Sequence, residues 1–223
     1  MTAALSACTQ GQAHRPGTEN QPQPQEDQKA MDYTDHYDSP LGGITLAGDG
    51  NGLAGLWFDG QKYFAETLEQ SRPDPALPVF AEARRWLDLY FRGEDPGFTP
   101  ALSMRGTEFR KAVWRCLLDI PYGETRTYGE IADRIARQMH LPRMSAQAVG
   151  GAVSHNAVSL IIPCHRVLGS GGRLTGYAGG MERKRKLLGL EKAQIPAARK
   201  TYGCIYAGKD GARPRNETDN ASP

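Results

Sequence analysis

The side chains best suited to chemistry in this sequence are neighbours, Cys164 and His165, which follow Pro163. A thiol attacks as its thiolate, and an adjacent imidazole that holds the proton lets the thiol ionise near neutral pH. The apolar run that ends at Ile162 is able to bury both side chains. A lone cysteine after such a run is more often a small buried hydrophobe, so the pair acquires meaning only from its surroundings.

Several motifs surround the pair in one order and spacing. They comprise residues 109–114, 120–125, 127–132, 148–150, 156, 162–167 and 176–180. On these motifs, residues 109–191 resemble the catalytic domain of the O6-alkylguanine-DNA alkyltransferases, the methylated-DNA–protein-cysteine methyltransferases. A weaker likeness to the N-terminal domain of that family begins at residues 37–42.

The resemblance implies a catalytic set of four residues: Cys164, His165, Glu191 and Asn156. Cys164 is the nucleophile, and His165 accepts its proton through a water while Glu191 supports the imidazole, so that each member shifts the pKa of the next. Asn156 holds the turn that joins the recognition helix to the active-site strand. Two structural alternatives stay open, since Glu191 could be an exposed carboxylate at a helix end and Asn156 a helix cap.

The resemblance also implies a set of DNA-binding and substrate-binding residues: Tyr128, Gln147, Ala148, Gly151, Val167, Tyr177, Ala178 and Gly179. Tyr128 contacts the DNA backbone and the flipped base, although packing on an apolar helix face would explain it equally well. The loop 177–179 forms the wall of the base pocket. Relatives usually carry an intercalating arginine where this chain has Gln147, which bears no charge.

The predicted fold class is α+β, in which a small N-terminal α/β domain precedes a mainly helical catalytic domain of winged helix-turn-helix type. The predicted domains are residues 32–103 and 104–191, between a disordered extension at 1–31 and a disordered tail at 192–223, whose composition cannot build a core. Residues 44–47 and 53–58 predict a strand pair across Asp-Gly and Asn-Gly turns, and residues 78–91 predict a helix. The N-terminal domain has no predicted role beyond scaffolding.

Polar residues mark the starts of three helices in the second domain. Thr107 and Ser145 are predicted N-caps, and Thr127 with Glu130 forms a capping box. The second and third of these helices have the layout of a helix-turn-helix. In the third helix, residues 146, 149, 150 and 153 are expected to face inward. Residues 147, 148, 151, 152, 154 and 155 are expected to face outward, towards nucleic acid or another helix.

The charge distribution favours a polyanionic partner for the second domain. Residues 104–191 hold 14 Lys and Arg against 7 Asp and Glu, whereas residues 1–103 hold 7 against 15, although the net charge is only +2. The four cysteines show no paired spacing, which favours a reducing compartment, and we expect a cytoplasmic monomer without membrane contact. No metal ligand motif and no cofactor motif is found.

The predicted function is repair of double-stranded DNA that contains O6-alkylguanine, and also O4-methylthymine, by irreversible transfer of the alkyl group to Cys164. The thioether product predicts a single turnover per molecule. Three alternatives remain: a cysteine hydrolase, which would turn over; a DNA-binding regulator, which would not need Cys164 and His165; and a non-catalytic lesion sensor, which would lack the thiol.

Overall fold

The computed structural model describes residues 31–68 and 70–192. The predicted extension and tail therefore lie outside the described residues, apart from Met31 and Lys192. The described residues begin with a four-stranded sheet of β1 (Asp32–Ser39), β2 (Gly42–Gly48), β3 (Leu53–Phe58) and β4 (Ser71–Pro73), in the order β3-β2-β1-β4. β2 lies antiparallel to both β1 and β3, and β4 lies parallel to β1. The predicted strand pair is confirmed.

Helix α1 (Pro78–Phe91) covers the predicted range and packs on this sheet. Proline suits the first turn because a helix has no partner for an N–H there. The buried face of α1 carries Phe80, Ala83, Trp86, Leu87 and Tyr90. The helix ends at Phe91, and Gly93 follows with a φ of 79°, a conformation that glycine adopts readily.

Three helices follow, and their predicted caps are confirmed. In α2 (Glu108–Leu118) the hydroxyl of Thr107 accepts from the backbone N–H of Arg110. In α3 (Tyr128–Gln138) Thr127 and Glu130 form the full capping box. In α4 (Ala146–Ser154) Ser145 accepts from two backbone N–H groups. The mutual contacts of these three helices place α3 and α4 as the predicted helix-turn-helix pair.

The predicted facing of α4 is wrong at two positions. Ala146 is exposed, whereas Ala152, expected to face outward, is buried at 3% exposure. Residues 149, 152 and 153 lie on one face of a helix with 3.6 residues per turn, so Ala152 follows Val149 into the core. The Nε1–H of Trp114 in α2 donates to the carbonyl of Ala152 across 2.9 Å, which fixes that side inward.

The prediction of an active-site strand before Cys164 is wrong, because residues 159–161 form a turn. Val158 forms an isolated bridge with Leu56 of β3, and the turn that follows places Leu160 at a φ of 70°. A short 3-10 helix (Cys164–Arg166) comes next, and β6 (Val167–Leu168) then pairs in parallel with β5 (Arg126–Thr127). Helix α5 (Met181–Leu190) closes the described fold.

The two predicted domains share their packing at this turn. The backbone N–H of Leu56 donates to the carbonyl of Ala157, and Ser159 N–H donates to the carbonyl of Leu56, both at 2.8 Å. One hydrophobic core runs through both halves of the described chain. In residues 31–68 and 70–192, no helix has the length and apolar character needed to cross a lipid bilayer.

Candidate active site

Cys164 begins the 3-10 helix, directly after Pro163, and is only 3% exposed. Its Sγ accepts a hydrogen bond from Nδ2 of Asn156 at 3.1 Å. Burial raises the pKa of the Cys164 thiol, while the Asn156 hydrogen bond and the charge of Lys184 act in the opposite direction. The sulfur is therefore protonated at rest, and Asn156 is placed to stabilise the thiolate once it forms.

Asn156 organises the turn that carries the nucleophile. Besides Sγ of Cys164, its Nδ2 donates to the carbonyls of Ile162 at 2.8 Å and Val158 at 3.3 Å. Its Oδ1 accepts from the backbone N–H of Val158 at 3.0 Å. All these bonds run forward along the chain, so the side chain folds the turn and does not cap the carbonyls of α4.

His165 and Glu191 meet in the interior. Nε2 of His165 lies 2.7 Å from Oε1 of Glu191, and both side chains are fully buried. Among the described residues, nothing hydrogen-bonds to Nδ1 of His165. Because an ionised carboxylate only accepts, Nε2 must carry the ring proton, which leaves the lone pair on Nδ1. That nitrogen is thus available to receive a proton.

Glu191 accepts most of the hydrogen bonds described at this site. It is buried, so its interpretation as an exposed carboxylate at a helix end is wrong. Oε1 accepts from His165 and from the hydroxyl of Tyr90, and the guanidinium of Arg166 donates to both oxygens. The backbone N–H of Gly123 also donates to Oε2, at 3.3 Å. Burial by itself would raise the pKa of Glu191, but His165 and Arg166 outweigh it and hold the pKa at about 2.

The resting state of the nucleophile and its base is neutral. Burial lowers the pKa of His165, despite the opposing influence of Glu191. The same burial raises the pKa of Cys164, so a thiol and a neutral imidazole are favoured over an ion pair. Asn156 and Glu191 lie where they would stabilise a thiolate at Cys164 and an imidazolium at His165.

The sequence does not indicate a role for three further polar side chains: Tyr90 and Arg166, which bond to Glu191, and Lys184, whose charge acts on Cys164. Tyr90 lies on the buried face of α1, where periodicity indicates only core packing. Lys184 is fully buried, and its Nζ donates to the carbonyls of Val167 at 2.5 Å, Thr175 at 2.8 Å and Gly176 at 3.4 Å. It thereby ties the segment before Tyr177 to β6. Burial lowers the pKa of Lys184 to about 8.

The loop 177–179 lies beside His165, the neighbour of Cys164. The ring of Tyr177 makes an edge contact with that of His165, with 6.4 Å between centroids. The carbonyl of Ala178 accepts from the backbone N–H of Lys62 at 3.0 Å. A side chain at Gly179 would collide with the ring of Tyr177, since its Cβ would lie 2.6 Å from a ring carbon, so only glycine fits there. The predicted pocket wall and the nucleophile therefore lie together.

An open groove of about 740 Å³ lies between the starts of α3 and α4 and residues 169–176. Tyr128 and Gln147 line it, as do Arg173 and Thr175, whereas Cys164 does not. Tyr128 also packs against the core, which agrees with its interpretation as part of an apolar helix face. Ala148 and Gly151 are exposed on α4 outside the groove lining, and Val167 is buried in β6. The roles predicted for these residues stay predictions.

No cluster of three His, Cys, Asp or Glu side chains suited to a metal ion occurs in the described part of the chain. Both described cysteines, Cys116 and Cys164, are free and buried.

Two family models match the chain, one over each of the two predicted domains. Residues 33–104 match the model of the 6-O-methylguanine DNA methyltransferase ribonuclease-like domain, and residues 108–193 match the model of its DNA binding domain.

Relatives of known name match most of the chain. The methylated-DNA–protein-cysteine methyltransferase of Mycobacterium bovis is 48% identical over 169 residues, which cover 73% of this chain and 95% of that protein. Its namesake from Methanosarcina acetivorans is 46% identical over 155 residues, with 70% and 95% covered. The Mycobacterium tuberculosis OGT solved in complex with DNA superposes with a TM-score of 0.62 at 47% identity, covering 75% of this chain and 96% of that one. The chain therefore belongs to the methylated-DNA–protein-cysteine methyltransferase family.

Proposed function

We propose that this protein repairs alkylated DNA by moving the alkyl group from O6 of guanine to Sγ of Cys164, once per molecule. The observation that carries the proposal is the buried array in which Asn156 donates to Sγ of Cys164 and Glu191 holds the neighbouring His165. A regulator that only binds DNA has no use for this array. A lesion sensor without the thiol is not compatible with Cys164.

The transfer is a displacement at the alkyl carbon. Sγ forms a bond to that carbon while the bond between the carbon and O6 breaks, and the electron pair of that bond stays with the guanine. The thiol proton passes to Nδ1 of His165, through a water where the gap requires one, and the guanine finally takes up one proton to become neutral. The product thioether has no hydrolysable bond. A cysteine hydrolase would instead regenerate its thiol and turn over.

Duplex DNA is the proposed partner, and the protein acts on it as a monomer. The target atom is inaccessible within the base stack, so the nucleotide must rotate out, at a cost of a few kcal/mol. The groove beside α4 supports this assignment, since Tyr128 and Gln147 line it and Arg173 supplies a positive charge. The excess of basic residues in positions 104–191 suits a phosphate backbone. O4-methylthymine, which also carries its methyl group on an exocyclic oxygen, is the second proposed substrate.

A duplex that contains labelled O6-methylguanine tests this function. We expect the label to move to the protein in a one-to-one ratio, and intact-mass and peptide analysis to find one methyl group on Cys164. Cys164→Ala should be inert, while Cys116→Ala, which removes the other buried free thiol, should still react. Release of several product molecules per protein, or methylation elsewhere than Cys164, would contradict the proposal.

A further inference from the structure

Tyr90 brings the N-terminal half of the chain into the network around Cys164. It lies in the last turn of α1 and is fully buried. Its hydroxyl lies 2.7 Å from Oε1 of Glu191 and 3.2 Å from Nε2 of His165, residues that follow it by 101 and 75 positions. No other side chain of α1 hydrogen-bonds to either residue within the described structure.

The ring of Tyr90 is held in place independently of this hydroxyl. It stacks on Trp86 with 5.0 Å between centroids and meets Phe91 and Tyr122 edge-on. Such aromatic packing determines where the hydroxyl points, because a tyrosine ring has only two side-chain torsions to fix. The hydroxyl is therefore a rigid donor that α1 presents to the active site.

The Tyr90 hydroxyl and Nε2 of His165 both donate to the carboxylate of Glu191. The carboxylate of Glu191 can only accept, so it receives the hydroxyl proton of Tyr90 at 2.7 Å and the Nε2 proton of His165 at 2.7 Å. The opposite tautomer would set the lone pair of Nε2 against the carboxylate, and the single hydroxyl proton of Tyr90 could then serve only one of these two acceptors. It would also bury a proton on Nδ1 where the described residues offer no acceptor.

We propose that Tyr90 is a positioning residue for alkyl transfer, which fixes Glu191 and the Nε2–H tautomer of His165 so that Nδ1 is the base. This inference rests on the proposed function and assigns the N-terminal domain a share in the chemistry. Tyr90 touches neither the alkyl group nor the base. It acts through Glu191 and His165.

The Tyr90 hydroxyl influences the pKa of His165 through Glu191. The titratable or charged groups around His165 come from α1, the turn after α2, the 3-10 helix, the 177–179 loop and α5. They are Tyr90, Tyr122, Cys164, Arg166, Tyr177, Lys184 and Glu191. Removing the Tyr90 hydroxyl leaves Glu191 with one donor fewer and makes its carboxylate more basic, which favours the imidazolium. The pKa of His165 then rises.

Single-turnover rates of Tyr90→Phe, measured against pH with O6-methylguanine in duplex DNA and with free O6-benzylguanine, test this role. We expect the acid limb of the pH–rate profile to move to higher pH. We expect the plateau rate to fall on the order of tenfold, by the same factor for both substrates, because one charge-assisted contact that orients the base is lost. The dissociation constant for DNA should not change.

Tyr37→Phe is the matched control. It removes a hydroxyl that donates to Asp88 of α1, the helix that carries Tyr90, at 2.8 Å and away from His165 and Glu191, so it should leave the profile unchanged. A Tyr90→Phe protein with the wild-type profile, or one that is slower with an unshifted acid limb, would overturn the inference. A wild-type protein that transfers no alkyl group would overturn the proposed function instead.

Replacement of Tyr90 by 3-fluorotyrosine gives a second test, which holds even where Tyr90→Phe fails to fold. Fluorine makes the phenol a stronger donor without removing it. Glu191 then becomes less basic, and the acid limb should move to lower pH, opposite to the shift in Tyr90→Phe. An unshifted limb, or a shift to higher pH, would contradict the role assigned to Tyr90.

Discussion

Nδ2 of Asn156 lies 3.1 Å from Sγ of Cys164, and the same nitrogen lies 2.8 Å from the carbonyl oxygen of Ile162. One amide therefore holds the backbone that enters the nucleophile and also the nucleophile itself. The sulfur at this position becomes negatively charged when the thiol loses its proton, and a fixed donor that is already in position stabilises that charge without reorganisation.

We predict that Asn156→Asp slows alkyl transfer at least roughly tenfold and raises the pKa of the thiol further, because a carboxylate replaces a donor beside the developing thiolate. Rates measured across pH with free O6-benzylguanine test this. The shape of the side chain is kept, and its oxygen can still accept from Val158. Asn51→Asp makes the same change on the exposed hairpin turn and should leave the rate unaltered. A wild-type rate for Asn156→Asp would show that the contact with Sγ has no role.

We predict that the free energy of unfolding falls in acid because Glu191 becomes protonated. Its folded pKa of about 2 lies below the value of 4.5 expected without the fold. The stabilisation is therefore complete above about pH 5 and is lost as the pH falls towards 2, by roughly 3 kcal/mol. Urea unfolding at a series of pH values should show this decline in wild type and a flatter curve in Glu191→Gln.

The control for this experiment is Glu182→Gln, on the exposed side of the same helix, where the carboxylate pairs with Lys186 at the surface. That variant should keep the wild-type slope between pH 5 and 2. If Glu191→Gln kept it too, the carboxylate would not be ionised and bonded as the structure has it.

The sequence predicts the helices well, because polar capping residues and proline mark the first turns. Thr127 and Glu130 form both bonds of the capping box, and α1 begins and ends at the predicted residues. β1 was missed because its sequence, DYTDHYDS, is polar and lacks the alternation of apolar residues that marks a half-buried strand. The turn around Leu160 was also missed, since an apolar run does not reveal a positive φ.

The candidate site likewise contains residues that local motifs indicate and residues that they do not. The motifs indicate Cys164, His165, Asn156 and Glu191, and the structure brings them together. Tyr90 was not named, since a tyrosine on the apolar face of a helix gives no local sign of a bond to a residue 101 positions away. Likewise, nothing near Lys184 in sequence indicates that its ammonium is buried among three carbonyls.

Arg173 is predicted to contribute to DNA affinity without affecting the chemistry. It is exposed, lines the groove beside α4, and donates to the hydroxyl of Ser170 at 3.2 Å. Arg173→Ala should weaken binding to unmodified duplex and reduce the log–log salt slope by about 0.9, the value for one phosphate contact. Titrations at several salt concentrations test this. Arg85→Ala, which removes an exposed arginine from α1, should leave the slope unchanged, and an equal change in both variants would speak against a phosphate contact at Arg173.

Gln147 is predicted to limit repair in duplex DNA. It is exposed in the first turn of α4 and lines the groove, and the resemblance described above implies an intercalating residue at this position. Gln147→Arg should accelerate the duplex reaction on the order of tenfold, because a charge-assisted contact with the opened stack is worth about 1–3 kcal/mol. Gln147→Ala should slow it. Neither change should alter the reaction with free O6-benzylguanine, which needs no base flipping.

The extra positive charge of Gln147→Arg could by itself tighten DNA binding, so the control must carry it as well. Gln138→Arg makes the same substitution at the exposed end of α3, away from the groove lining. If the position of Gln147 matters, only Gln147→Arg gains duplex rate at saturating DNA, where affinity no longer limits the reaction. Equal gains in both variants would mean that the added positive charge, and not its position, accelerates repair. If the reaction with free O6-benzylguanine changed as much as the duplex reaction, Gln147 would support the base pocket, and another residue would intercalate.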